Sequence, residues 1–185
     1  MDKRMKIISI SCAALVVVTL GVFGVYKFRQ GRIVDFKPLR DTKAILDNFE
    51  DNKYWLLAEE LWGKFDVKKM LETRSPNENP QYQGKLIIKV VREGADTVAF
   101  TTYYRMSPEI GWIQFVSVNR DARGHGYGRL IVDHDVKEFF KQGCREVRLL
   151  TRLNNKWARR IYEAYGFVAY QNDDRFIYYS YKKPN

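Results

Sequence analysis

Two cysteines and two histidines are all that 185 residues hold of either type. So few cysteines cannot staple a disulfide-dense secreted scaffold, and so few histidines leave little material for a zinc site, so no metal is expected. There is no internal repeat and no low-complexity tract. Acidic residues are the minority, 22 against 32 Lys plus Arg, for a formal charge of +10. That balance suits an anionic partner such as phosphates, nucleic acid or a membrane surface. Apolar residues make up 45% of the chain and aromatics 15%, which excludes a disordered or fibrous protein.

Charge is missing altogether from Ile7 to Tyr26. A helix needs about 20 apolar residues to cross a hydrocarbon core about 30 Å thick. Lys3, Arg4 and Lys6 precede the run, and Lys27 and Arg29 follow it. A cleaved signal peptide has a shorter apolar region, about 7–15 residues, and a small-x-small cleavage site. This run is longer and ends Phe23-Gly-Val-Tyr26 without such a site. Residues 1–29 therefore read as an uncleaved, single-pass membrane anchor with basic flanks. Lys27, Arg29, Arg32, Lys37 and Arg40 outnumber the basic residues before the span, so the C-terminal domain, 30–185, is expected in the cytoplasm.

The remainder reads as one α+β domain. A short strand is expected over 33–40, then a helix capped by Asp41 to about Phe49, a second helix over 53–62, and a third from Asp66 to Thr73. Turn residues fill 75–80. Strands are expected over 85–92, 97–105 and 111–118, and their short links imply an antiparallel meander. A helix over 127–142, a strand over 146–150, a helix over 155–165 and a last strand over 176–181 complete the pattern.

The strand 111–118 runs into Asn119-Arg-Asp-Ala-Arg123-Gly124-His125-Gly126-Tyr127-Gly128-Arg129, where a helix begins. Glycines at such a turn let backbone approach a ligand, and the helix N-terminus offers amides and positive dipole charge to a pyrophosphate. Position 129 is Arg, which breaks the dinucleotide Gly-x-Gly-x-x-Gly pattern, and no Gly-Lys-Ser/Thr ends the loop as in a P-loop.

Arg123-x-x-Gly126-x-Gly128 after a strand ending Val116-Ser117-Val118 resembles the acyl-coenzyme A loop of the GNAT superfamily of N-acetyltransferases. Further on, Asn155-Lys-Trp-Ala158-Arg-Arg-Ile-Tyr162-Glu-Ala-Tyr-Gly166-Phe167 is similar to that family's second signature. The resemblance implies a GNAT-like α/β/α fold with a mixed, mostly antiparallel sheet and acetyl-CoA as cosubstrate. It also implies residue roles. Amides of Tyr127, Gly128 and Arg129 would bind the pyrophosphate, with Arg123, Gly124, His125 and Gly126 forming the loop. The backbone around Val116, Ser117 and Val118 would pair with the pantetheine arm where strand 111–118 splays from strand 146–150. Asn155 would contact the cofactor, and Tyr162 would lie near the sulfur.

Two proton movements are then required. The acceptor amine must lose a proton before it attacks, and the departing thiolate must gain one. Tyr162 is the candidate acid. Many relatives place a Glu where this chain has Gln114; an amide cannot serve as base, but it can orient a water or the amine. Glu109, His125 and His134 are weak substitutes. Cys144 reads as a buried apolar residue with no catalytic partner. Three readings follow: a membrane-anchored N-acetyltransferase acting on an unidentified amine, a degenerate coenzyme A-binding protein, and a basic nucleic-acid or anionic-lipid binder. The last explains the charge but neither motif, so nucleic acid is not the expected partner.

Overall fold

Strand β4 (Ile110–Val118) sits at the centre of a seven-stranded sheet of order β1-β2-β3-β4-β5-β7-β6, in a computed structural model that describes residues 31–75 and 83–184. The other strands are β1 (Arg32–Asp35), β2 (Gln83–Glu93), β3 (Asp96–Arg105), β5 (Glu146–Arg152), β6 (Val168–Asn172) and β7 (Phe176–Lys182). The helices are α1 (Pro38–Leu56), α2 (Glu59–Trp62), α3 (Val67–Thr73), α4 (Tyr127–Lys141) and α5 (Lys156–Tyr165). The expected membrane span at 7–26 and the turn at 76–80 lie outside the described residues. Among the described residues no helix is long and apolar enough to cross a membrane.

Strands β2, β3 and β4 form the expected antiparallel meander. Short links permit nothing else, because a parallel connection needs a dozen or more residues. The one parallel pairing among the described residues, β4 with β5, spends its crossover on α4. Both sheet faces are covered. Phe36, Ile45, Phe49, Met70 and Leu71 pack with Phe100, Tyr104 and Phe115 on one face. On the other, Val132, Val136 and Phe139 of α4 and Tyr162 of α5 pack with Tyr103, Ile113, Leu149 and Tyr179.

Three expectations are corrected. The first strand stops at Asp35, and a single helix runs from Pro38 to Leu56 where two were expected. Pro38 starts it, since the N–H that proline lacks would be unpaired there anyway. Asp41 is therefore inside the first turn and is not the N-cap. Its fully buried carboxylate accepts from Lys37 N at 2.6 Å, Arg92 Nη2 at 2.6 Å and Thr97 Oγ1 at 2.8 Å, tying α1 to β2 and β3. Third, β6 was not anticipated. All five of its residues are exposed, so it has no apolar alternation to announce it.

Candidate functional site

The β4–β5 pairing lasts only three residues: Ile110 with Glu146, Gly111 with Val147 and Trp112 with Arg148. Beyond Trp112 the two strands part. The cause lies in the register with β3. Thr102 pairs with Phe115 but Tyr103 pairs with Ile113, so Gln114 is an extra residue in β4. Such a bulge bends its strand and increases the local twist.

Two hydrogen bonds fix which way the freed backbone points. Thr101 Oγ1 of β3 lies 3.0 Å from Phe115 O. Asn119 N donates to Val98 O of β3 at 2.9 Å. A planar trans peptide directs its C=O and N–H to opposite sides. The N–H of Val116 and the C=O of Val118 therefore face away from β3, into the opening that β5 has left. Ser117 does the reverse: by the alternation of an antiparallel ladder its N–H and C=O point toward β3, opposite Phe100, and its hydroxyl donates to Asn48 Oδ1 on α1 at 2.5 Å. Of the three strand residues implicated by sequence, Val116 and Val118 offer backbone to the opening and Ser117 does not.

The loop after β4 carries two left-handed glycines, Gly124 at φ 83° and Gly126 at φ 82°. An L side chain adopts that conformation at a cost of roughly 1–2 kcal/mol. Gly126 is the N-cap of α4, and no side chain caps that end. A Cβ added at Gly124 or Gly126 would meet nothing within 4 Å, so the backbone there faces open space. Gly128 differs. A Cβ there would lie 2.9 Å from Ile161 Cδ1, so this glycine is where α4 passes close to α5.

Arg123 is turned away from the loop. Its guanidinium bonds Asn52 Oδ1 on α1 at 2.5 Å and Val118 O at 3.4 Å. Asn48 links Ser117, Asn119 and Asn52, so a polar network of α1 holds the end of β4 and the start of the loop. Asn48 and Asn52 carry no expected role from sequence, because nothing local to either residue marks it as buried. His125 and Arg129 are exposed, and Tyr127 is buried. Asn155 is the N-cap of α5 and accepts from Ala158 N at 3.2 Å.

Tyr162 is only 7% exposed and shares an apolar cluster with Ile113 of β4 and Leu149 of β5, with Val116 packed against it. It thus spans the two strands that diverge. Its ring lies 6.0 Å from those of Phe167 and Tyr179. Burial holds the phenol well above its ordinary titration range, so the hydroxyl keeps its proton at neutral pH. Gln114, half-buried, is 3.4 Å from Thr102 Oγ1. Glu109 pairs with Arg145 at the closed end of the β4–β5 pair, far from the opening. His134 lies against Asp135, and burial pushes the Cys144 thiol up, which disfavours a thiolate nucleophile. Arg152 is buried; it bonds Tyr54 O, Leu57 O and Glu60 and so seats the end of α1. No cluster of His, Cys, Asp or Glu suited to a metal occurs among the described residues.

An open strand edge beside an uncapped helix N-terminus suits a ligand with an extended amide arm and an anionic group. Coenzyme A carries both, so the residues present fit it.

Residues 52–167, more than half of the chain, match the family described as acetyltransferase (GNAT). Over 66 residues, 36% of the chain, it is 30% identical to N-alpha-acetyltransferase 30 of Saccharomyces cerevisiae, and the chain covers 38% of that relative's length. The fold is shared with an N-acetyltransferase from Staphylococcus aureus Mu50, at TM-score 0.63 and 18% identity over 82% of this chain and 98% of that one. It is shared also with a GNAT family acetyltransferase from Elizabethkingia anophelis with acetyl-CoA bound, at TM-score 0.51 and 12% identity over 65% and 93%. With the family match spanning both the splayed strand and the tyrosine helix, the chain belongs to the acetyltransferase (GNAT) family.

Proposed function

We propose that this chain is an N-acetyltransferase that moves an acetyl group from acetyl-CoA to a primary amine by direct attack. The opening between β4 and β5 beside Gly126 is the observation that carries the reading. Acetyltransferases of this family use acetyl-CoA, which supplies an acyl group activated as a thioester. The amides at the start of α4 would hold the pyrophosphate, and Gly124 and Gly126 keep the approach clear. Val116 and Val118 would pair with the pantetheine arm as an added strand. The Val116 N–H is then a fixed donor for a carbonyl oxygen that gains charge. Tyr162 donates its proton to the departing sulfur and regains one from solvent before the next turnover. Gln114 holds a water or the amine by hydrogen bonds, and the amine's own proton leaves through solvent. Asn155 would contact the cofactor through its amide nitrogen. Cys144 is buried and has no part, so no acyl-enzyme is formed.

The test is acetyl-CoA turnover by the full-length protein in detergent, with mass spectrometry of a panel of acceptors. Peptide N-terminal amines come first, in view of the name of the yeast relative, followed by lysine peptides and small amines. Acetylation of one class that depends on enzyme is the expected result. Gln114 in place of an acidic base favours a second reading, a coenzyme A-binding protein without turnover. Tight binding of acetyl-CoA with no acetylated acceptor would select it.

We further propose that residues 7–26 anchor the protein with the catalytic domain on the cytoplasmic side, where acetyl-CoA is made. The support is the uncharged run and the basic residues after it. A reporter fused after Asn185 should resist labelling from outside intact cells. Labelling from outside would reverse the orientation.

A further inference from the structure

Beneath the opened strand lies a polar chain that the mechanism above leaves unused. Thr101 Oγ1 is 3.0 Å from Phe115 O and 2.6 Å from Asp135 Oδ2. Thr101 and Asp135 are both fully buried. A hydroxyl has one hydrogen and cannot donate to both oxygens. An ionised Asp135 would take that hydrogen and leave two acceptors facing each other at Phe115. A neutral Asp135 satisfies every contact: its O–H donates to Thr101, and Thr101 donates to the Phe115 carbonyl. His134 Nδ1 lies 2.9 Å from Asp135 Oδ1, the acid's other oxygen, and donates to it in the tautomer that carries its hydrogen on Nδ1. Burial pushes the Asp135 carboxyl up, against the opposing influence of His134, Thr101 and Lys89. The other titratable side chains that sense it are Tyr103 of β3 and Tyr162 of α5.

The Phe115 carbonyl and the Val116 N–H belong to one peptide. A hydrogen bond to the carbonyl draws electron density from the nitrogen and makes its N–H a stronger donor. That N–H is the group facing the opening. We propose that Thr101 and Asp135 are positioning residues that orient and polarise the Phe115–Val116 peptide, so that Val116 N–H draws charge onto the thioester carbonyl. The chain Asp135 to Thr101 to Phe115 to Val116 delivers partial positive charge to the N–H that faces the opening. This inference rests on the acetyl-CoA reading above.

The experiment pairs kinetics with the infrared carbonyl band of isotope-labelled acetyl-CoA bound to the full-length protein. Removing a direct oxyanion donor costs about 10²–10³ in kcat, and an indirect one should cost at least about tenfold. Thr101→Val should show that loss with KM for acetyl-CoA changed less than about threefold, and the bound carbonyl band should move toward its value in free solution. Thr101→Ser keeps the hydroxyl and should keep both rate and band. Asp135→Asn keeps a neutral donor toward Thr101 and should also keep the band. Should Thr101→Val fail to bind coenzyme A, Thr101→Cys, close in size with a far weaker donor, takes its place. An unmoved band in a variant that still binds coenzyme A overturns the proposal, as does an Asp135→Asn band shifted as far as that of Thr101→Val. Absence of acetyl-CoA turnover by the wild type would instead remove the enzymatic reading on which it stands.

Discussion

Tyr162→Phe should lower kcat by at least about tenfold, general acid catalysis being typically worth about 10²–10⁴-fold, and leave KM for acetyl-CoA nearly unchanged. Only a hydroxyl is lost. The ring keeps its place against Phe167 and Tyr179, and among the described residues no hydrogen bond to the hydroxyl is broken. Folding stability should therefore change little. Product release can mask a slower chemical step, so the single-turnover rate is the quantity to measure. An unchanged single-turnover rate would make Tyr162 a packing residue. The pH dependence follows from the sign of the shift. Burial raises the folded-state pKa of Tyr162, so the protonated donor persists past the ordinary tyrosine value of about 10. The rate should therefore show no alkaline loss from this phenol below that pH.

Gly126→Val should weaken coenzyme A binding by at least roughly tenfold, about 1.4 kcal/mol, in a protein that still folds. A Cβ at Gly126 meets nothing within 4 Å, so no clash with the protein is introduced. The side chain would instead stand over the first turn of α4, and φ at 82° adds strain. Calorimetry with coenzyme A checks this. Affinity unchanged in a folded Gly126→Val variant would remove the phosphate from this loop. Gly128 is less suited to the same test, because a Cβ there would lie 2.9 Å from Ile161 Cδ1 and that side-chain end would have to shift.

The sequence carried much of the fold because the relevant signals are local. Alternation marks β2 to β4, 3.6-residue spacing marks α4 and α5, and the glycines mark the turn between β4 and α4. Pairing across elements is not local, and there the reading failed. The bulge at Gln114 exists only in the register with β3, so nothing within Ile113-Gln114-Phe115 announces it. The same holds for Asn48 and Asn52, which are buried because β4 and Arg123 reach them. Asp135 left a trace. Ile131, Val132, Asp135, Val136 and Phe139 form one buried helical stripe, and a carboxyl on such a stripe requires partners. Strand β6 left none, since a fully exposed edge strand has no apolar face to show.

The central claim is that the β4 edge freed by the splay receives acetyl-CoA. Residue-resolved amide hydrogen exchange with and without acetyl-CoA tests it most directly. The Val116 N–H, and with it that of Val118, faces the opening and should slow on addition of acetyl-CoA. Ser117, whose N–H points toward β3 by the alternation of the ladder, should not change. Equal exchange at Val116 and Val118 with and without saturating acetyl-CoA would contradict the account.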